Sequence, residues 1–383
     1  MFDLVDWKIP LYKVYTDAED VDRVRRVIER GTYWAIGPEI EEFERIVSRY
    51  LGVRYAVAFN SGTSALHATM LAAGITAGDQ VLVPSFTFIA SANSALFVGA
   101  EPVFADIEEK TYGLDIASVR SKVTKKTRVI MPVHIGGLVN RDTAELKEFA
   151  SKENILLLED ACESLGSTAG GVSAGSFGDF SVFSFCGNKV ISTGEGGMVV
   201  TNSGELYEKL KLFRSHGRLE KEPYFLTTKS LDYIDLGFNW RMPTMVAALG
   251  IAQMSKLEKV VGIRRSIAAR LSSELSKLGE VQTPEEPPGF RHIYQMYTIR
   301  VKTGKQRRDA LRDFLSKKGI INKIYFEPVH LSHIFREKYG HGPGELPVTE
   351  RVSDQVLTLP IYPTMTEEEI GYLTESVREF FRQ

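Results

Sequence analysis

The chain predicts an α/β protein, with a mainly parallel sheet of about seven strands in an α/β/α layer and a small C-terminal α+β domain. Three observations carry that expectation. Short apolar, β-branched runs recur through the first two-thirds of the chain. Helical patterns separate most of them, as they do for strands buried on both faces between helices. Past residue 250 the alternation gives way to one long helical pattern and then a proline-rich break, TPEEPPG. The expected division is 1–250 for a large domain with an N-terminal helical segment, and 251–383 for the small one.

In order, TDAEDVDRVRRVIERG predicts a helix, with a capping box from Thr16 to Glu19 and Gly31 as its stop. The strand candidates are YAVAF, QVLVP, PVFAD, RVIMPVHI, NILLLED, FSVFSF and GMVVT. A single long helical pattern, TMVAALGIAQMSKLEKVVGIRRSIAARLSSEL, follows them. Beyond the break, YQMYTIRVK reads as a strand and QRRDALRDFLSKKG as a helix. The last element, MTEEEIGYLTESVREFF, is an amphipathic helix capped by Thr366 and Glu369. No internal repeat interrupts this order.

The 383 residues are 43% hydrophobic and 25% charged, the balance of a globular protein with a large core. A formal net charge of −2 gives no general attraction to nucleic acid or to an anionic membrane. There is no apolar run of 18 residues, and the N-terminal MFDLVDWKIP lacks the basic and apolar regions of a signal peptide. Cys162 and Cys186 form no CxxC pair and lie among no histidines at metal spacing. A reduced, cytoplasmic compartment and no metal site are expected.

Four segments point at one cofactor. Lys189, in FSFCGNKVISTGEGG, sits among aromatic and small residues with no nearby acid before Glu195. A neutral amine there would be a nucleophile toward an aldehyde, and burial beside a phosphate-binding positive potential is expected to keep it deprotonated. Asp160 ends the apolar strand ILLLED, where parallel strands bring functional groups to a ligand crevice. Its bland role is a helix cap; its functional role is to hold a cationic ring nitrogen protonated. In FNSGTSALHATM, Gly62, Thr63 and Ser64 open a helix whose free N–H groups suit a phosphate, although an N-cap with nothing bound is common. Ser184 adds a hydroxyl five residues before the lysine. Phe88 lies just past VLVP; it is either core or a flat wall for a planar ring. Neither a GxGxxG nor a GxxxxGK[ST] motif is present, so an NAD-dependent or P-loop reading gains nothing.

With those segments in view, the chain resembles the DegT/DnrJ/EryC1/StrS family of sugar aminotransferases that use pyridoxal 5'-phosphate (PLP), within the fold-type I, aspartate aminotransferase-like group. The resemblance runs from about residue 8 to the C-terminus, on GPEIEEFE, NSGTSALHATML, PSFTFIASANS, LLLEDACESLGS, FGDFSVFSFCGNK, STGEGGMVVT, GFNWRMP and LPIYP. It implies that Lys189 is the Schiff-base lysine, Asp160 the ring-nitrogen partner and Phe88 the stacking aromatic. Thr63, Ser64 and Ser184 match phosphate ligands. Asn239, in GFNWRMP, matches an asparagine reaching the neighbouring subunit's phosphate, which implies a homodimer with shared sites. Glu163, in EDACES, stands where relatives carry Gln or His and resembles the 4-amino-sugar, perosamine synthase-like branch.

The implied reaction moves an amino group from L-glutamate to a keto carbon of a nucleotide-linked keto-deoxy sugar, 4-keto-6-deoxy in that branch. Trp34, Arg241, Tyr325 and His330 are sugar-site candidates on family analogy, each with a plain packing or ion-pair alternative. PVHIGG departs from the VHLYG-like loop of many relatives by placing Gly136 and Gly137 after the isoleucine. A 3-aminotransferase and a PLP-binding regulatory protein without turnover remain as alternatives. A sugar dehydratase of the family carries histidine in place of the lysine, and Lys189 argues against it.

Overall fold

The computed structural model describes residues 7–218 and 227–383. Part of the N-terminal stretch examined for a signal peptide, residues 1–6, lies outside them. All seven strand candidates form one sheet. They are β1 (Tyr55–Phe59), β2 (Gln80–Pro84), β3 (Glu101–Ala105), β4 (Thr127–Ile130), β5 (Leu156–Asp160), β6 (Phe180–Ser184) and β7 (Gly197–Thr201). Their order across the sheet is β1-β7-β6-β5-β4-β2-β3. Five neighbouring strands, β6 to β3, are parallel, while β7 runs antiparallel to both β6 and β1.

Parallel strands end on the same side of a sheet, so the residues after β1, β2, β5 and β6 gather along one edge. Every candidate cofactor contact on the large domain except Asn239 leaves from one of those ends. The return into β7 demands glycine: a Cβ on Gly197 would overlap the backbone of Ser61 at the start of the helix after β1. Only a residue without a side chain lets the two segments pass.

Helix α1 (Ala18–Arg30) and helix α2 (Pro38–Leu51) pack on the largely apolar helix Thr244–Met254, which is buried over most of its circumference. Gly31 ends α1 in the left-handed region, as expected. The cap differs: Asp17, not Thr16, is the N-cap, and Asp20 completes the capping box in place of Glu19. Aspartate wins because its carboxylate suits both the orphan N–H groups and the positive end of the helix. The long helical pattern also divides, into Thr244–Met254 and Leu257–Leu275.

The small domain is an antiparallel sheet of Val281–Gln282, Tyr297–Val301 and Val356–Leu359, covered by helices Lys305–Lys317 and Glu367–Arg382. Thr366 and Glu369 cap the last helix with both reciprocal bonds present. The packing partners change along the helix Leu257–Leu275. Leu257, Val260 and Val261 pack with the large domain, whereas Ile267, Leu271 and Leu275 pack with the small one. Ile9 belongs to the small-domain core as well, bonded through its backbone to Gly319 and Ile321.

Candidate active site

Adjacent residues of a strand point to opposite faces, and β5 uses this to separate two acids. Glu159 is fully buried behind the sheet and accepts five bonds: from the N–H groups of Gly175, Phe177 and Gly178, the Ser181 hydroxyl and His134 Nε2, at 2.6–2.9 Å. Asn140 N–H donates to His134 Nδ1 at 3.1 Å, so Nε2 carries the proton that Glu159 receives. Burial works against this carboxylate's charge, but His134 and the backbone donors outweigh it and hold its pKa below the usual range. Glu159 is a structural anchor.

Asp160 faces the other way, into a cavity of about 580 Å3 at the strand ends. It is 4% exposed, with Oδ2 accepting from Ser91 Oγ at 2.7 Å and Oδ1 from Cys162 N–H at 3.2 Å. Lys189 enters the same cavity from the loop after β6. Its Nζ donates to Glu163 Oε1 at 3.3 Å, and Glu163 Oε2 accepts from the Gly136 N–H at 2.9 Å. Glu163 is an acid beside Lys189 that the local sequence does not announce. Burial disfavours the ammonium, but the carboxylates of Glu163 and, less directly, Asp160 outweigh it and raise the pKa. Burial also pushes the Cys162 thiol well up, leaving it neutral beside them.

Phe88 stands at the cavity wall with 62% of its surface exposed, so packing does not account for its placement. Helix α3 (Gly62–Ala72) begins at the cavity: Ser61 is its N-cap, accepting from Ser64 N–H at 3.1 Å, and Gly62 and Thr63 line the space with Ser184. The fit is close there, since a Cβ on Gly62 would stand 3.1 Å from Ser184 Cβ. The Ser64 hydroxyl instead lies 2.9 Å from Ser61 Oγ, and Ser64 does not line the cavity.

These residues fit PLP. The cavity volume suits a small-molecule site. A buried carboxylate, a flat exposed aromatic, a helix N-terminus with hydroxyls and a lysine amine all converge on it. Among the described residues no cluster of His, Cys, Asp and Glu could hold a metal ion, and no helix is long and apolar enough to cross a membrane.

Of the four sugar-site candidates, only Tyr325 lines the cavity. His330 is fully buried in the fold instead, bonded to Ser85 Oγ at 2.7 Å and to Glu350 at 3.3 Å. Trp34 donates its indole N–H to the Val27 carbonyl, and Arg241 lines a separate cavity of about 560 Å3 with Arg214 and Arg218. Asn239 is exposed and does not cap the following helix, whose N-cap is Pro243. Tyr12, Ser61, Ser91, Asn188 and Lys323 line the cavity without having been singled out from sequence. The only signal for Ser91 was its presence in PSFTFIASANS, where nothing distinguishes it from its small neighbours.

Comparison with known proteins agrees with this geometry. The model of the DegT/DnrJ/EryC1/StrS aminotransferase family matches residues 14–378. The chain is similar to a GDP-perosamine synthase of Caulobacter vibrioides, 36% identical over 92% of this chain and 93% of that protein. It is 34% identical to a UDP-N-acetyl-3-dehydro-alpha-D-glucosamine 3-aminotransferase of Acidithiobacillus ferrooxidans, over 90% of this chain and 89% of the other. Among solved structures, the PLP form of a putative sugar aminotransferase, Spr1654 of Streptococcus pneumoniae, superposes with a TM-score of 0.91 at 25% identity, over 98% of each chain.

Proposed function

The chain belongs to the DegT/DnrJ/EryC1/StrS aminotransferase family and is a PLP-dependent transaminase; on that premise we propose that it moves an amino group from L-glutamate to the keto carbon of a nucleotide-linked 4-keto-6-deoxy sugar. The observation that carries the transaminase part is the Lys189–Glu163 pair and buried Asp160 lining one cavity, and the sugar part is supported by the likeness to a GDP-perosamine synthase.

PLP, when bound, supplies an aldehyde that takes up the donor's amino group and a cationic ring that withdraws electron density. Asp160 holds the proton at the ring nitrogen, and Ser91 steadies the carboxylate through Oδ2. Lys189 Nζ takes the proton from the donor's α-carbon as a general base. Glu163 Oε1 stabilises the ammonium that results. Phe88 would wall the cofactor against water, and the opening turn of α3 with Ser184 would hold its phosphate. Tyr325, whose phenol burial keeps neutral, is the sugar-side contact that the geometry favours.

A cytoplasmic homodimer with shared sites is part of this reading. The shared-site dimer is supported by the exposed Asn239 and the exposed apolar side chains of Tyr233, Ile234 and Leu236. Trp34 and Arg241 stand outside their own protomer's cavity, where a partner could use them. Mixing inactive Lys189→Ala and Asn239→Asp chains tests it: activity returns if Asn239 acts in trans, and does not, despite verified subunit exchange, if it acts in cis.

Substrate identity is tested by mass spectrometry of products from a panel of GDP-, UDP- and dTDP-linked keto-deoxy sugars with glutamate. The expected product is a 4-amino-6-deoxy sugar nucleotide. Amination at carbon 3, the position named for the Acidithiobacillus relative, would establish the second reading.

A further inference from the structure

Residues 292–296 lie between the strands Phe290–Arg291 and Tyr297–Val301, and they hold both members of the Lys189–Glu163 pair. On one side, Gln295 Nε2 donates to the Asn188 carbonyl at 2.7 Å, one peptide before Lys189. On the other, the N–H groups of Ile293 and Met296 donate to the carbonyls of Gly137 and Gly136, each at 3.0 Å. The Gly136 N–H in turn holds Glu163 at 2.9 Å.

Contact on this second side is close enough to exclude a side chain. A Cβ on Gly137 would stand 2.6 Å from Ile293 Cγ1 and 2.8 Å from the Gln295 nitrogen, and Gly137 has a φ of +96°. Close contact with this segment therefore accounts for Gly137 in the PVHIGG departure. The segment is itself fixed from the helix Leu257–Leu275. Arg264, 3% exposed, donates to the carbonyls of Tyr294 and Gln295 at 2.8 Å each. No carboxylate pairs with that guanidinium among the described residues. A charge buried for the sake of two carbonyls marks a backbone whose position is specified rather than merely packed.

We propose that Gln295 is a positioning residue for Lys189: with the backbone of its segment, it sets the separation of Lys189 Nζ from Glu163 Oε1 and ties the small domain's central strand to the reactivity of the lysine. The role rests on Lys189 being the reactive lysine, which borohydride labelling decides separately. Gln295 suits a substitution test because its Oε1 is buried without a partner. Replacing the amide by an apolar side chain removes that unmet acceptor but also the donor to the Asn188 carbonyl, so a modest stability loss is expected and opening of the fold must be followed separately.

The test uses the full chain before cofactor is added, as wild type, Gln295→Leu and Gln295→Met. Each is treated with N-hydroxysuccinimidyl acetate, and acylation of each lysine is timed by peptide mass spectrometry. Lys256, buried against Asp17 and Asp20, reports general opening of the fold. Lys189 should acylate about three- to tenfold faster in the variants, as its pairing with Glu163 loosens and more of the amine is unprotonated. Lys256 should keep its rate. With cofactor restored, kcat should fall while KM for the amino donor holds. Where the leucine variant opens the fold, the methionine variant decides. An unchanged Lys189 rate, an unchanged kcat, or a parallel rise of Lys189 and Lys256 in both variants overturns the proposal.

Discussion

Lys256 and Lys189 are both largely buried against carboxylates, and burial disfavours the charge on each while the acids raise its pKa. Lys256 meets two acids at once, Asp17 Oδ1 at 2.6 Å and Asp20 Oδ2 at 2.7 Å, on the seam between α1 and the helix Leu257–Leu275. Asp20 is further tied to Gln253 Nε2 at 2.9 Å and to the Asp17 N–H at 2.8 Å. Lys189 meets one oxygen, at 3.3 Å, and otherwise faces a cavity. The difference lies in what each amine has left to give. A lysine closed in by two short charge-assisted bonds is a fastener. One held by a single long bond beside open volume can leave its partner and meet a ligand. Pairing with an acid therefore does not distinguish structure from chemistry in this chain; the second acid and the empty side do.

The largest expected effect comes from breaking the reactive member. Lys189→Ala should lose turnover and the visible absorption of the loaded enzyme while keeping its fold, checked by spectra and melting. Asp160→Asn comes next. It preserves shape and removes the charge that keeps the ring nitrogen protonated, so kcat should fall by about a thousandfold, equivalent to roughly 4 kcal/mol. Near-normal turnover would remove Asp160 from the mechanism.

Ser91→Ala should cost less. One bond to a charged group is worth about 1.5–3 kcal/mol, so kcat should drop on the order of tenfold or more, with the amino-donor KM little changed. Lys256→Met completes the comparison, with no effect on turnover but a stability loss of about 3 kcal/mol in urea unfolding. Its pH dependence has a definite sign. The folded pKa of Lys256 is raised above 10.5, so its contribution is complete below that pH and fades as pH rises through the folded value. Asp17 is lowered from 3.8, so its share is lost as pH falls below that. The gap between variant and wild type should therefore narrow at both extremes.

Much of the fold was legible because its signals are local. Buried strands advertise themselves as apolar runs, and all seven runs became strands of one sheet. Residues near a strand end or in a glycine-rich loop were legible for the same reason, which is why Asp160, Gly62, Thr63, Phe88, Ser184 and Lys189 converge. What needed the structure was long-range. From the small domain, over a hundred residues after Lys189, Lys323 reaches the cavity and Gln295 the Asn188 carbonyl behind it, and no periodicity announces that. For His330, a candidate by family analogy, the packing alternative is the one its surroundings support, since Ser85 and Glu350 bond its ring inside the fold. The same long-range limit hid the acid beside Lys189, because Glu163 is 26 residues away in sequence and 3.3 Å away in space.

The most direct test of the account is borohydride reduction of the loaded enzyme followed by peptide mapping. The label should fall on the peptide containing Lys189 and leave Lys256 and Lys323 untouched. Fixation of the cofactor to any lysine other than Lys189 would contradict the assignment and the comparison built on it.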